Sequence, residues 1–306
     1  MTPETPVETT IETVSAANSA PERANSAILA PRLRETPSFH HHLPRFHRAK
    51  GSHRPPLALQ SRDLELLQTA HDYRLIMTPQ YLRLFSDESR VGIYRRLQKL
   101  FHHGYLDRIG ENPNAPLVYA LGKRGAEVLE VPHRKNVGDR YLAHQLMIGD
   151  FRIAVALAAR ESAIEVSWRR VPDGQPIRPD GFFGLRFPTL PEGRNCTFFF
   201  LEADRSTMPR ERFLAKLHAY QAWHAAGGHT AALGIKSFRV LTVTKSVERM
   251  RGLLTAAAED GHLAPRHAAY WFASDSAGEG ALGALGPIWH TAAEPDGLAN
   301  LLPAGI

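Results

Sequence analysis

Apolar residues recur along this chain in two rhythms. Between residues 61 and 130 they return every three or four positions, the spacing that gives a helix one apolar side. Ser61 caps a predicted helix carrying Leu64, Leu67 and Tyr73, with Asp63 and Glu65 in its favourable first turn. Thr78-Pro79 opens a short second helix with Tyr81, Leu82 and Phe85. A third helix is predicted over residues 89–103, after the Ser86-Asp87-Glu88 turn, and Gly104 stops it. On that helix Ile93, Leu97, Leu100 and Phe101 fall on one side, and Val91, Arg95, Gln98, Lys99 and His102 on the other. Residues 105–109 and 117–121 read as paired strands around a turn at 110–116, and residues 122–129 as one more helix.

After residue 138 the rhythm changes. Residues 141–160 form a predicted helix that is apolar on most sides and therefore largely buried, with His144 expected to be satisfied in the core or at an interface. A strand follows at 163–171, carrying Trp168-Arg169-Arg170. The run Phe198-Phe199-Phe200-Leu201 reads as a buried strand that ends in Glu202-Ala203-Asp204. Side chains alternate along a strand, so Glu202 and Asp204 share a face. Asp180 sits in the preceding candidate strand, between Pro179 and Gly181. Helix 207–226, capped by Ser206 or Thr207, puts Arg212, Lys216 and Tyr220 on one side, and Gly227-Gly228 ends it. Strand 238–244, helix 247–259 and strand 268–273 complete the order α-β-β-β-α-β-α-β, and a short strand follows at 288–290.

Composition bounds what this pattern does. Residues 1–57 are rich in Pro, Ser, Thr and Glu and poor in large apolar groups, which predicts a disordered arm. Of the net charge of +6, the stretch between Arg32 and Arg54 carries +5, while residues 1–30 carry −3. Such an arm either tracks phosphates or keeps the chain soluble. His40, His41 and His42 within it are weak metal ligands. The one cysteine, Cys196, excludes a disulfide framework and a Cys-based zinc site, and it fits a reducing cytoplasm. No apolar run reaches the ~18 residues of a membrane-spanning helix, so no membrane partner is expected, and residues 1–30 lack the order of a signal peptide. A glycine-rich phosphate loop, a serine nucleophile elbow and a His-Glu-x-x-His zinc helix are all absent from the sequence.

Three helices followed by a hairpin is the order of a winged helix-turn-helix, whose third helix enters the DNA major groove. The candidate DNA contacts are Arg90, Val91, Arg95, Gln98, Lys99 and His102 on that helix, with Arg108 on the wing. Double-stranded DNA is the expected partner; the alternative use of such a unit is dimerisation or protein contact. In the second half Asp180, Glu202 and Asp204 would converge, and crowded carboxylates need a cation or a shared proton. The other reading is three solvated acids paired with Arg178 and Arg205. The expected organisation is an α/β (α+β) chain: arm 1–57, winged helix 58–131, an α/β unit 138–274 and an extension 275–306.

The blocks SRDLELLQTAHDYRLIMTPQYLRLF, RRLQKLFHHGYLDRI and VYALGKRGAEVL, then PDG, FFFLEADRST and KLHAY, resemble the replication-relaxation family of bacterial plasmid and mobile-element proteins over roughly residues 58–245. The resemblance implies a winged helix and a role in plasmid replication, relaxation or mobilisation, with a second copy of the chain or other replication and mobilisation proteins as partners. The second half also resembles the restriction-endonuclease-like fold. Its nucleases place an acid after a proline and then Asp/Glu-x-Lys on the next strand, with Mg²⁺ on the acids and the lysine assisting water. Carried over, Asp180 is the first acid and Glu202 the second, while Asp204 stands where the lysine belongs. Lys216 would then supply the missing amine, or Asp204 would be a third ligand, so the catalytic set is Asp180, Glu202, Asp204 and Lys216 and the metal set is Asp180, Glu202 and Asp204. The alternative is a site without chemistry that holds DNA through Arg205, Arg210, Arg212 and Lys216. Three functions therefore stand open: a DNA-binding protein, a Mg²⁺-dependent nuclease or nicking enzyme, and an interaction scaffold.

Overall fold

The structure, a computed structural model, describes residue 48 and residues 57–110, 114–134, 139–275 and 283–303. The expected arm, apart from Arg48 and Leu57, lies outside the described residues, and so do His40, His41 and His42. The chain is mixed α/β, as the sequence predicts.

Helix α1 (Ser61–Tyr73) begins at the residue expected to cap it, so its cap lies one residue earlier. Gln60 is the N-cap, and its N–H donates to Asp63 Oδ2 at 2.7 Å. Of the expected apolar residues Leu67 is buried and Tyr73 packs against the core, but Leu64 is exposed, and Asp63, Leu66 and Ala70 face inward beside Leu67. Asp63 tolerates complete burial because Arg96 of α3 donates to both of its oxygens. Strand β1 (Ile76–Met77), too short for any periodicity to show, precedes α2 (Thr78–Leu84). Thr78 is the first residue of α2 rather than its cap; its hydroxyl donates to Leu117 O at 3.3 Å, and the Gln80 side chain accepts from Met77 N.

Helix α3 (Arg90–His102) runs from Ser89, whose hydroxyl accepts from Gly92 N, to a turn at Gly104, where φ is 79°. Strands β2 (Leu106–Ile109) and β3 (Val118–Leu121) then pair antiparallel, and β1 adds to β3, giving the order β1-β3-β2. Helix α4 (Lys123–Val128) sits so close to this sheet that a Cβ on Gly125 would lie 2.3 Å from Tyr105 O. Leu66, Leu67, Ile93, Leu97, Leu100 and Tyr119 are the centre of the core here.

Helix α5 (Asp139–Glu161) is long and apolar enough to cross a membrane by length and composition, contrary to the sequence expectation. Its Met147, Phe151 and Val155 lie instead in a protein core, on one face of a six-stranded sheet. That sheet runs β4 (Glu165–Arg169), β5 (Gly181–Arg186), β6 (Cys196–Asp204), β7 (Arg239–Thr244), β8 (Tyr270–Ser274) and β9 (His290–Thr291). The β6-β7 and β7-β8 pairs are parallel and the rest antiparallel. Alternation along β6 sends Phe199 and Leu201 toward α5 and Phe200 to the opposite layer. That layer holds α6 (Arg210–Ala225), the short α7 (Gly228–Leu233), which the sequence reading lacked, and α8 (Val247–Glu259). Helix α6 begins at Arg210 with Pro209 as its N-cap, not at the expected Ser206 or Thr207: Ser206 has a φ of 63° and gives its N–H to Asp204.

Helix α5 also touches the first sheet. Leu142 and Leu146 pack on Leu75, Val118 and Ala120. Gln80 Nε2 donates to Asp150 Oδ1 at 2.9 Å, and Arg152 Nη1 to Asp72 O at 2.6 Å. The described residues thus belong to one compact unit.

Candidate functional site

The outer face of α3 carries most of its predicted polar residues. Arg90, Val91, Arg95 and Lys99 are exposed and Gln98 is half-buried. His102 is a correction: it is buried at the edge of the inward arc, its ring 4.9 Å from that of Phe101. Arg108 does not project from the wing. Its guanidinium lies 4.2 Å over the Phe101 ring and donates to the Tyr119 hydroxyl at 3.3 Å. Arg48 approaches the same ring at 5.5 Å and pairs with Asp107.

The three acids separate into a pair and a single. Asp180 stands just ahead of β5, where β6 has no partner strand on that side. Its N–H donates to Leu201 O at 2.9 Å, and its Oδ2 accepts from Ala203 N at 2.8 Å, so the side chain takes the place of a missing strand residue. Its Oδ1 meets His144 Nε2 of α5 at 2.9 Å. That bond raises the His144 pKa above its ordinary value, against burial and the nearby charges of Lys216 and Arg205. The sequence reading left His144 to the core; its partner is one of the candidate acids.

Glu202 points to the opposite layer, with Phe200. It is buried, and its two oxygens accept from Lys216 Nζ and, at 2.7 Å, from the Tyr220 hydroxyl, both on α6. Burial pushes its pKa up to about 7; Lys216 pulls down and the Asp180 charge adds to the rise. The same burial, with Glu202 beside it, drives the Tyr220 pKa well above its ordinary value. The four-residue spacing puts Lys216 and Tyr220 on one face of α6; the sequence assigns Lys216 to this site and gives Tyr220 no partner.

Asp204 does not join them. Arg249 of α8 donates to its Oδ2 at 2.8 Å, and Ser206 N–H to its Oδ1. Arg249 is a partner that sequence reading missed, because nothing local connects it to Asp204.

These residues do not fit a Mg²⁺ ion as they stand. The expected set loses Asp204 to Arg249. Each of the four oxygens that remain on Asp180 and Glu202 accepts a hydrogen bond from within the protein. Among the described residues no group of three His, Cys, Asp or Glu side chains is placed to hold a metal. What the arrangement can do is hold and exchange protons: a carboxyl near neutrality bridges a lysine and a tyrosine, beside an Asp–His pair.

Comparison with known proteins agrees with the sequence blocks. The profile of the replication-relaxation family matches residues 67–237, more than half of the chain. The chain belongs to the replication-relaxation family, and its role is related to replication or relaxation. No curated protein and no solved structure matches it.

Proposed function

We propose that this chain is a double-stranded DNA-binding protein of plasmid or mobile-element replication and relaxation, working in the bacterial cytoplasm. In this reading residues 61–128 are a winged helix-turn-helix and α3 enters the major groove. The observation that carries it is the division of α3: Ile93, Leu97, Leu100 and Phe101 are buried, while Arg90, Arg95 and Lys99 are exposed on the far side. A helix held by its apolar side and presenting cations outward supplies both phosphate contacts and guanidinium forks for guanine. The test is binding of the full chain to labelled duplex DNA by fluorescence anisotropy over a salt series. Arg95→Ala/Lys99→Ala should weaken binding and lower the slope of log K against log salt by about 1–2. Unchanged affinity and slope would remove α3 from the interface.

One observation favours a second reading, a metal-dependent nuclease on a restriction-endonuclease-like sheet: Lys216 reaches Glu202, as the displaced lysine of such a site would. Against it stands the full hydrogen bonding of both acids. Supercoiled plasmid incubated with Mg²⁺ or Mn²⁺ should stay intact with the wild type. Nicking by the wild type that Asp180→Ala/Glu202→Ala abolishes would reverse the order of the two readings.

A further inference from the structure

A concavity of about 660 Å³ lies between the α1–β1 turn and the strand β4–β5 region, and six arginines line it: Arg74, Arg134, Arg152, Arg169, Arg170 and Arg178. Its two acids are Asp173, which Arg170 holds at 3.2 Å, and Asp180. Among the described residues no carboxylate forms an ion pair with the other five arginines. Six cations gathered in one concavity against two acids leave an excess of positive charge, and the field it makes draws in anions.

Several of these side chains are set in place by neutral groups. Arg152 lies 4.7 Å over the Tyr73 ring and 4.6 Å over the Trp168 ring while donating to Asp72 O. Arg169 lies 5.4 Å over Phe182 and donates to Leu233 O at 3.2 Å. Rings and carbonyls orient a guanidinium without cancelling its charge. Arg74 occupies the centre of a γ-turn: Leu75 N donates to Tyr73 O at 2.7 Å, with φ 65° and ψ −48° at Arg74. That backbone is strained for a residue with a side chain, and it leaves Arg74 exposed at the rim. Arg178 is exposed two residues before Asp180.

We infer that this cleft takes the phosphodiester backbone of a nucleic acid and leads it past Asp180, as a second contact surface separate from α3. The inference rests on the DNA-binding reading above. Guanidinium forks match phosphate oxygens two N–H groups at a time, and such contacts position a strand without reading its sequence. A cleft with six arginines against two acids calls for a partner with negative charge repeated along its length, which a phosphodiester chain has.

The experiment titrates the full chain into a short labelled duplex and, separately, into one of its strands, over a KCl series. The variants are Arg74→Ala/Arg178→Ala, Arg178→Glu and Arg95→Ala/Lys99→Ala, each checked for its fold by circular dichroism. The cleft double variant should lower the salt slope by about 2 on duplex or about 1.4 on single strand, and weaken binding about equally for unrelated sequences. Arg178→Glu, a change at an exposed side chain, should weaken binding even if the Arg74 turn rearranges. Loss in one arm only identifies that form of DNA as the occupant. Cleft variants that bind like wild type while the α3 variant is impaired would overturn the inference and leave the DNA-binding reading standing. If no variant differs from wild type, both fail.

Discussion

The Tyr220 hydroxyl donates to Glu202 Oε1 at 2.7 Å, one helical turn beyond the lysine that takes the other oxygen. Burial makes this carboxyl ionise late, even though both donors favour its charged form. Its pKa of about 7 lies above the ordinary 4.5, so the folded state keeps a proton that the unfolded chain releases. The stability Glu202 contributes is therefore complete below pH 4.5 and is lost as the pH rises through 7. Glu202→Gln removes this dependence. From pH 5 to pH 8 the variant should gain on wild type by up to about 3 kcal/mol in urea unfolding. Parallel pH profiles for the two proteins would show that Glu202 ionises normally.

His144 offers a spectroscopic test of the other acid. Asp180 is the main cause of its raised pKa, while burial, Lys216 and Arg205 all act in the opposite direction. Asp180→Asn should therefore lower the His144 pKa to the ordinary value or below it, as followed by histidine ring NMR shifts. In wild type the pair stabilises the fold below the ordinary pKa of 6.5, and that stability fades as the pH climbs through the raised one. A titration midpoint that Asp180→Asn leaves in place would break the link between the two residues.

The Asp204–Arg249 pair should behave as structure. Removing Arg249 leaves a buried carboxylate that, among the described residues, keeps the Ser206 N–H, and Arg249→Ala should cost about 3 kcal/mol. Asp204→Ala/Arg249→Ala should cost less than the two single changes added together, by about 1–3 kcal/mol. Additive losses in chemical denaturation would mean that the two side chains do not depend on each other.

How much of this was legible depended on how local the cause was. Helix α3 lies within a residue of its expected ends because Ser89 and Gly104 mark both of them. Helix α8 was readable over its full length, and Lys216 with Tyr220 already formed a face in the sequence. On helix α1 Leu67 and Tyr73 pack inward as expected, but Leu64 is exposed and Asp63, a charged residue, is what the core holds; its partner Arg96 comes from α3. Asp204 was grouped with Glu202 by strand alternation, which is correct for the face; Arg249, 45 residues on, decides its fate. The arginines of the cleft come from five separate stretches, so no window along the chain shows them together.

Helix α5 lends one side to the small sheet and another to the large one, through Leu142 and Leu146 on the first and Met147, Phe151 and Val155 on the second. It works as a splint. Neither sheet can melt without stripping a wall from the other's core, so heating should dissolve both in a single calorimetric peak whose van't Hoff and measured enthalpies agree. The bearing of α3 relative to Asp180 is accordingly a property of one rigid bar rather than of a hinge.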